Sequence, residues 1–235
     1  MIRNANLMKL LNLRPKTIIH IGANLGQDRP QYVKLDANKF YWGEADLYFV
    51  DILKEKYPDD IIIFGAFTNT SQGEKKIYLN LNGTRASRIS DSVKETFLSP
   101  AMTLDSVFKN INLEEPVMLV IDTDGAELEI LEGGTKLLNK VDYLIIEQYF
   151  NWDQGKWHEA ITNFVNHFGF NRTLARVSYT QDYEDVFYTK KPLLPILLFR
   201  LVDYFFYIMK QAKHLLRNRH FSSTYFHCFK CEIKI

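Results

Sequence analysis

Cysteine is almost missing from this chain. Only Cys228 and Cys231 occur among 235 residues, too few for a disulfide-stapled secreted scaffold and compatible with a reducing cytosol. Charge of one sign is missing too: 29 Lys and Arg stand against 28 Asp and Glu, a net charge of +1. Composition therefore gives no reason to expect a nucleic-acid partner. There is also no clean run of about 20 apolar residues, the length needed to cross a bilayer. The most apolar stretch, Leu193 to Met209, is interrupted by Pro195, Arg200 and Asp203. Met1 to Pro15 has neither a long apolar core nor a small-residue cleavage pattern, and reads as a short helix over Asn6 to Leu13, not an export signal. These absences point to a cytoplasmic protein. No internal repeat is found.

What is present is a 46% hydrophobic chain with a real core. Its organisation reads as a lead-in over 1–16, one domain over 17–191 and an apolar, then basic, extension over 192–235. The pattern predicts strands at Thr17 to Ile21, Phe40 to Trp42, Ile61 to Phe67, Val117 to Asp122 and Tyr143 to Glu147, the third covered on both faces. It predicts helices around Gln31 to Leu35, over Leu47 to Lys56, over Ala126 to Leu138 and over Lys156 to Phe168. Lys75 to Asn80 alternates like an edge strand, and the polar stretch Asn82 to Pro100 reads as a loop over the site. Phe170 to Val177 and Asp185 to Tyr188 close the series as a hairpin-like pair. The alternation specifies an α/β fold with a doubly wound, mostly parallel sheet ending in an antiparallel strand.

The chemistry gathers at strand ends. TIIHIGANLG, Thr17 to Gly26, is a buried strand emptying into a turn of Gly22, Ala23, Asn24 and Gly26. Such a turn lets a ligand approach the backbone closely, where open α/β sheets bind cofactors. Roughly 20 residues on, Glu44 ends the next strand, the place from which an acid accepts hydrogen bonds from a ribose diol. Asp122 and Glu147 end two further strands, with Asp124 and Glu127 close behind the first. A carboxylate closing an apolar strand must be solvated by a site, a metal or a partner. Asp124 also sits where it can cap the following helix. Clustered carboxylates suit either a general base or Mg²⁺, and the spacing does not choose between them. Asn69, Ser87 and Arg88 lie in polar loops that can meet a sugar-like substrate, and His158 is a more distant candidate.

The pattern resembles the FkbM family of S-adenosylmethionine-dependent methyltransferases. IHIGANLG is similar to that family's first motif, YWGEAD to its second, and TLDSVF to the segment before the fourth core strand. VIDTDGAELEILEGG, from Val120 to Gly134, is the most specific match, and YLIIE follows it. The likeness spans roughly Thr17 to Lys190. It implies a class I, Rossmann-like methyltransferase that places S-adenosylmethionine against His20, Gly22, Ala23, Asn24, Gly26, Glu44, Ala45, Ala66 and Asp122. On the acceptor side the strand-end carboxylates Asp122, Glu147 and Asp124 are the catalytic candidates, and the resemblance implies a sugar hydroxyl of a glycan or glycolipid as substrate. At position 20 this chain carries histidine where the family usually has the aspartate that helps place the methionine end.

Two other functions compete. A nicotinamide site is disfavoured because IGANLG lacks the G-x-G-x-x-G spacing. A non-catalytic binding protein held at a membrane is the alternative suggested by His20 and the extension. Lys210, Lys213, His214, Arg217, Arg219 and His220 follow the apolar stretch and suit an anionic lipid surface, while the same 192–220 segment also suits a second subunit. HCFKC, at His227 to Cys231, offers only half of a zinc site.

Overall fold

A computed structural model of the chain describes residues 8–9, 12–79, 85–86, 95–149, 156–177 and 183–190. Ser87, Arg88, most of the expected N-terminal helix and the whole extension from 192, HCFKC included, lie outside the described residues. The chain divides into Met1–Leu193 and Leu194–Ile235, and every described residue belongs to the first unit.

In chain order, β1 (Thr17–Ile21), α1 (Arg29–Lys34), β2 (Lys39–Glu44), α2 (Leu47–Lys56) and β3 (Ile61–Phe64) alternate. An insertion follows, with β4 (Ala66–Phe67), β5 (Glu74–Leu79), β6 (Arg85–Ala86) and β7 (Glu95–Met102). Then come α3 (Leu104–Phe108), β8 (Val117–Ile121), the short helices α4 (Glu127–Glu132) and α5 (Thr135–Leu138), β9 (Tyr143–Tyr149), α6 (Lys156–His167), β10 (Asn171–Val177) and β11 (Tyr183–Thr189).

Seven strands form the main sheet in the order β3-β2-β1-β8-β9-β11-β10. The first five run parallel, and β11 runs antiparallel to both β9 and β10. β1 lies near the middle, and all five of its positions are buried. A strand with parallel neighbours needs cover on both faces, which explains its unbroken β-branched and apolar run. Side-chain direction alternates along it. Ile19 and Ile21 join the large core with Leu119, Ile121, Leu144 and Ile146, while Ile18 and His20 fall on the other face.

Local signals account for the helix ends. Asp46 caps α2 by accepting from the Tyr48 N–H, and the helix stops at Tyr57, ahead of Pro58. Thr103 and Ser106 make a reciprocal capping box at α3. Gly169, at φ +82°, lies just beyond α6.

Three expectations are corrected. Ile61 to Phe67 is not one covered strand: it breaks at Gly65, leaving β3 as a partly exposed edge and passing β4 to a second sheet of order β4-β7-β5-β6. A Cβ at Gly65 would lie 2.1 Å from the Met102 side chain, so the chain bends where β7 crosses it. Ala126 to Leu138 is two helices, because Asp105 caps α5 by accepting from the Lys136 and Leu137 N–H groups. Gly133 also passes so close to the Thr68 carbonyl that a Cβ there would lie 2.1 Å from its oxygen. The end of the polar stretch expected as a loop is the eight-residue strand β7.

Candidate functional site

The turn after β1 is held against the ends of its neighbours. Gly22 and Ala23 both donate to the Gly43 carbonyl, at 2.9 and 3.2 Å, and the Asp122 N–H donates to the Ile21 carbonyl at 2.9 Å. Gly22 has φ +82°, and a Cβ there would lie 1.8 Å from the Asp122 carbonyl oxygen. Only glycine meets both conditions. Gly26, at φ +61°, packs on the Tyr57 ring and Leu53.

Glu44 joins the loops that leave β1 and β2. Its Oε2 accepts from the Asn24 N–H at 2.8 Å, and its Oε1 accepts from the Asp46 N–H at 2.9 Å. An ionised carboxylate accepts about four hydrogen bonds, so these two do not bar it from serving a ribose diol.

Of the residues expected at a cofactor, Gly22, Asn24, Glu44, Ala45, Ala66 and Asp122 line one cleft, together with Asp124. Ala23, buried, and Gly26 build the turn without lining that cleft. The sequence reading missed its apolar wall, made by Phe49, Phe67, Ile77 and Phe97, and also Lys75. Alternation along β5 puts Lys75 and Ile77 on one face, a signal that was available. Phe97 stands in the stretch read as a loop and carried none.

His20 lies elsewhere. Its ring is buried at 2% exposure, on the face of β1 away from Ile19 and Ile21, and it does not line the cleft. The Tyr32 hydroxyl lies 2.9 Å from Nδ1, and the Tyr32 and Trp42 rings pack around it. Burial lowers its pKa to about 4, which makes it a neutral imidazole at physiological pH. Asn69 donates to Glu132 at 2.9 Å, and His158 is 3.0 Å from Arg172.

The carboxylates behind the cleft form a connected set. Burial, then the charge of Asp124, pushes Asp122 up to about 7, against a hydrogen bond from Glu147. Burial, then the charges of Asp122 and Asp124, pushes Glu147 further, to about 10. Two full charges 4 Å apart at an effective dielectric of 20 repel by about 4 kcal/mol, which is why neighbouring buried carboxyls share a proton. Glu127, fully buried, holds the loop: its Oε1 accepts from the Gly125 N–H at 2.9 Å and from the Thr123 hydroxyl at 3.1 Å. Asp124, two residues before the Ala126 N-cap of α4, adopts φ +52° at the cleft wall.

The set fits a sulfonium nucleoside: a side-chain-free turn for close approach, an acid at the β2 end, apolar rings for a flat base and carboxylates for a cation. Among the described residues, no group of three or more His, Cys, Asp or Glu is arranged to hold a metal ion. No helix among them is long and apolar enough to cross a membrane.

A family model described as the methyltransferase FkbM domain matches residues 16–172. No curated protein matches the chain. Among solved structures it is similar to M. capricolum TrmK in complex with S-adenosyl-homocysteine, at 11% identity over 79% of this chain and 68% of that one, with a TM-score of 0.47. It is also similar to an rRNA methylase from Streptococcus thermophilus, at 13% identity over 82% and 99%, TM-score 0.47. A TehB-like SAM-dependent methyltransferase from Corynebacterium glutamicum matches at 12% identity over 80% and 86%, TM-score 0.42.

Proposed function

Because the chain belongs to the FkbM family of S-adenosylmethionine-dependent methyltransferases, we propose that it methylates a hydroxyl, on a sugar of a glycan or glycolipid. The observation that carries this reading is a single cleft bounded by the glycine turn, Glu44 and Asp122. S-adenosylmethionine supplies an electrophilic methyl group when bound. Glu44 would accept from its ribose, the Gly22 to Gly26 turn would pass beneath its methionine end, and Ala45 and Ala66 would leave room beside its base.

Most of the rate gain comes from alignment, since a held acceptor oxygen meets the methyl carbon without the entropy cost of a bimolecular encounter. Asp122 takes the hydroxyl proton as the new bond forms. A base with a pKa near the working pH is the efficient choice, and Asp122 is placed there by its surroundings. Asp124, at the same wall, orients the acceptor. The catalytic unit is 17–191 in this reading. The protein works in the cytoplasm, and its 192–220 segment meets a membrane surface or a second copy.

Calorimetric titration with S-adenosylmethionine tests the donor site, with Glu44→Ala and reduced nicotinamide as controls. The expected result is binding to the native protein, at least tenfold weaker in the variant, since about 1.5–3 kcal/mol attends each hydrogen bond to a charged group. No binding at near-millimolar donor would overturn the reading. A panel of sugar acceptors with a methyl-transfer readout tests the substrate class.

A further inference from the structure

Strand register sets three acids side by side. Ile121 pairs with Ile146, so Asp122 and Glu147 follow as the next neighbours at the carboxyl ends of β8 and β9. On the other side of Glu147, Asp185 of β11 is its register partner. Resting on the hydroxyl-methylation reading above, we propose that Glu147 is a positioning residue, which donates a hydrogen bond to Asp122 and so decides which Asp122 oxygen faces the acceptor.

Geometry chooses which acid keeps the shared proton. Asp122 borders the cleft, whereas Glu147 is 7% exposed and stands between two other acids. The Glu147 Oε2 is buried without a hydrogen-bond partner. A neutral carbonyl oxygen tolerates that position, and a charged carboxylate oxygen does not.

Among the described residues, the other charged groups acting on this pair are acids. Asp124 comes from the loop after β8, Glu127 from α4 and Asp185 from β11. From α1, the Tyr32 phenol is held neutral by burial and by the charges of Asp28, Asp122 and Asp185. On β1 the matching position is Gly22, which has no side chain. Lys75 of β5 lines the cleft but pairs with Glu129. This surround favours keeping one proton in the Asp122–Glu147 pair at neutral pH, in line with the higher value at Glu147.

The proton count follows. As the acceptor oxygen bonds to the methyl carbon, the carbon–sulfur pair of electrons leaves with sulfur and the hydroxyl proton passes to Asp122. Glu147 keeps its own proton throughout, and Asp122 returns the gained one to water through the cleft.

Infrared spectroscopy of the native protein at neutral pH tests the pair without any turnover. A protonated-carboxyl band that shifts in deuterium oxide is expected; it should lose one component in Glu147→Gln and keep that component in Asp122→Asn. No component lost in Glu147→Gln would overturn the proposal, even if methyl transfer is intact. Loss of donor binding in the titration above, with the band in place, would sink the methylation reading instead. In turnover assays Glu147→Gln, whose amide N–H still donates, should lower kcat only a few-fold and leave the acid limb of kcat/KM within about one pH unit. Glu147→Leu should cost tenfold or more and move that limb upward. Equal losses in Gln and Leu variants, with an unmoved limb, would reject positioning in favour of a merely structural role.

Discussion

His20 offers the sharpest quantitative check on the buried architecture. Its folded pKa of about 4 lies below the ordinary 6.5, so the unfolded chain takes up a proton first as pH falls. The stabilising contribution of the neutral ring is fully present above pH 6.5 and is lost as pH falls toward the folded value. Linkage gives a loss of about 2 kcal/mol at pH 5 and about 3 kcal/mol at pH 4. Asp122, Glu147 and Glu127 have raised values and act with the opposite sign, favouring the fold as pH falls. A comparison with His20→Asn subtracts them, because they are common to both proteins. Asparagine keeps an acceptor near the position of Nδ1 for the Tyr32 hydroxyl but cannot titrate, so its packing defect is a constant offset. Urea unfolding of both proteins at pH 7 and pH 5 is the assay. The native protein should lose about 2 kcal/mol more than the variant, equivalent to roughly 4–8 °C in Tm for a domain of this size. Losses that agree within about 0.5 kcal/mol, against a linkage figure four times larger, would refute the burial of a neutral imidazole.

Gly22→Ala should destabilise the fold by about 3 kcal/mol or more, because an L residue at positive φ is strained and its Cβ would overlap the Asp122 carbonyl; chemical unfolding measures it, and a near-native value would contradict the close approach. Glu127→Ala should cost roughly 2–4 kcal/mol and weaken donor binding, since it removes the acceptor for Thr123 and Gly125. Glu127→Gln, which can present a carbonyl oxygen at the same place, should stay within about 1 kcal/mol of native.

The parts of the site that were legible in the sequence are those in which a buried strand ends abruptly in glycine or an acid. β1 running into Gly22, β2 into Glu44 and β8 into Asp122 each show that change of composition in adjacent residues. What was hidden depends on distant segments. The break at Gly133 and Gly134 exists because Asp105 and the Thr68 backbone arrive there. β3 and β4 separate because β7 crosses at Gly65. The place of His20 was half legible: the resemblance to the family's first motif put position 20 beside the methionine end of the cofactor, whereas the parity of β1 sends it to the face opposite Ile19 and Ile21. Apolar strands buried on both faces give no signal that separates those two faces.

The placement of β11 between β9 and β10 also bears on how the chain is made. A ribosome delivers β10 before β11, yet the slot beside β9 belongs to the later strand. At about 5–20 residues per second, the stretch from Tyr149 to Thr189 takes roughly 2–8 seconds to synthesise. Throughout that interval the nascent domain carries an open strand edge next to the carboxylates of its future site, a template for unwanted pairing. Termination upstream of Tyr183 would make the exposure permanent, so shortened products should be insoluble and depend on chaperones while the finished chain is not.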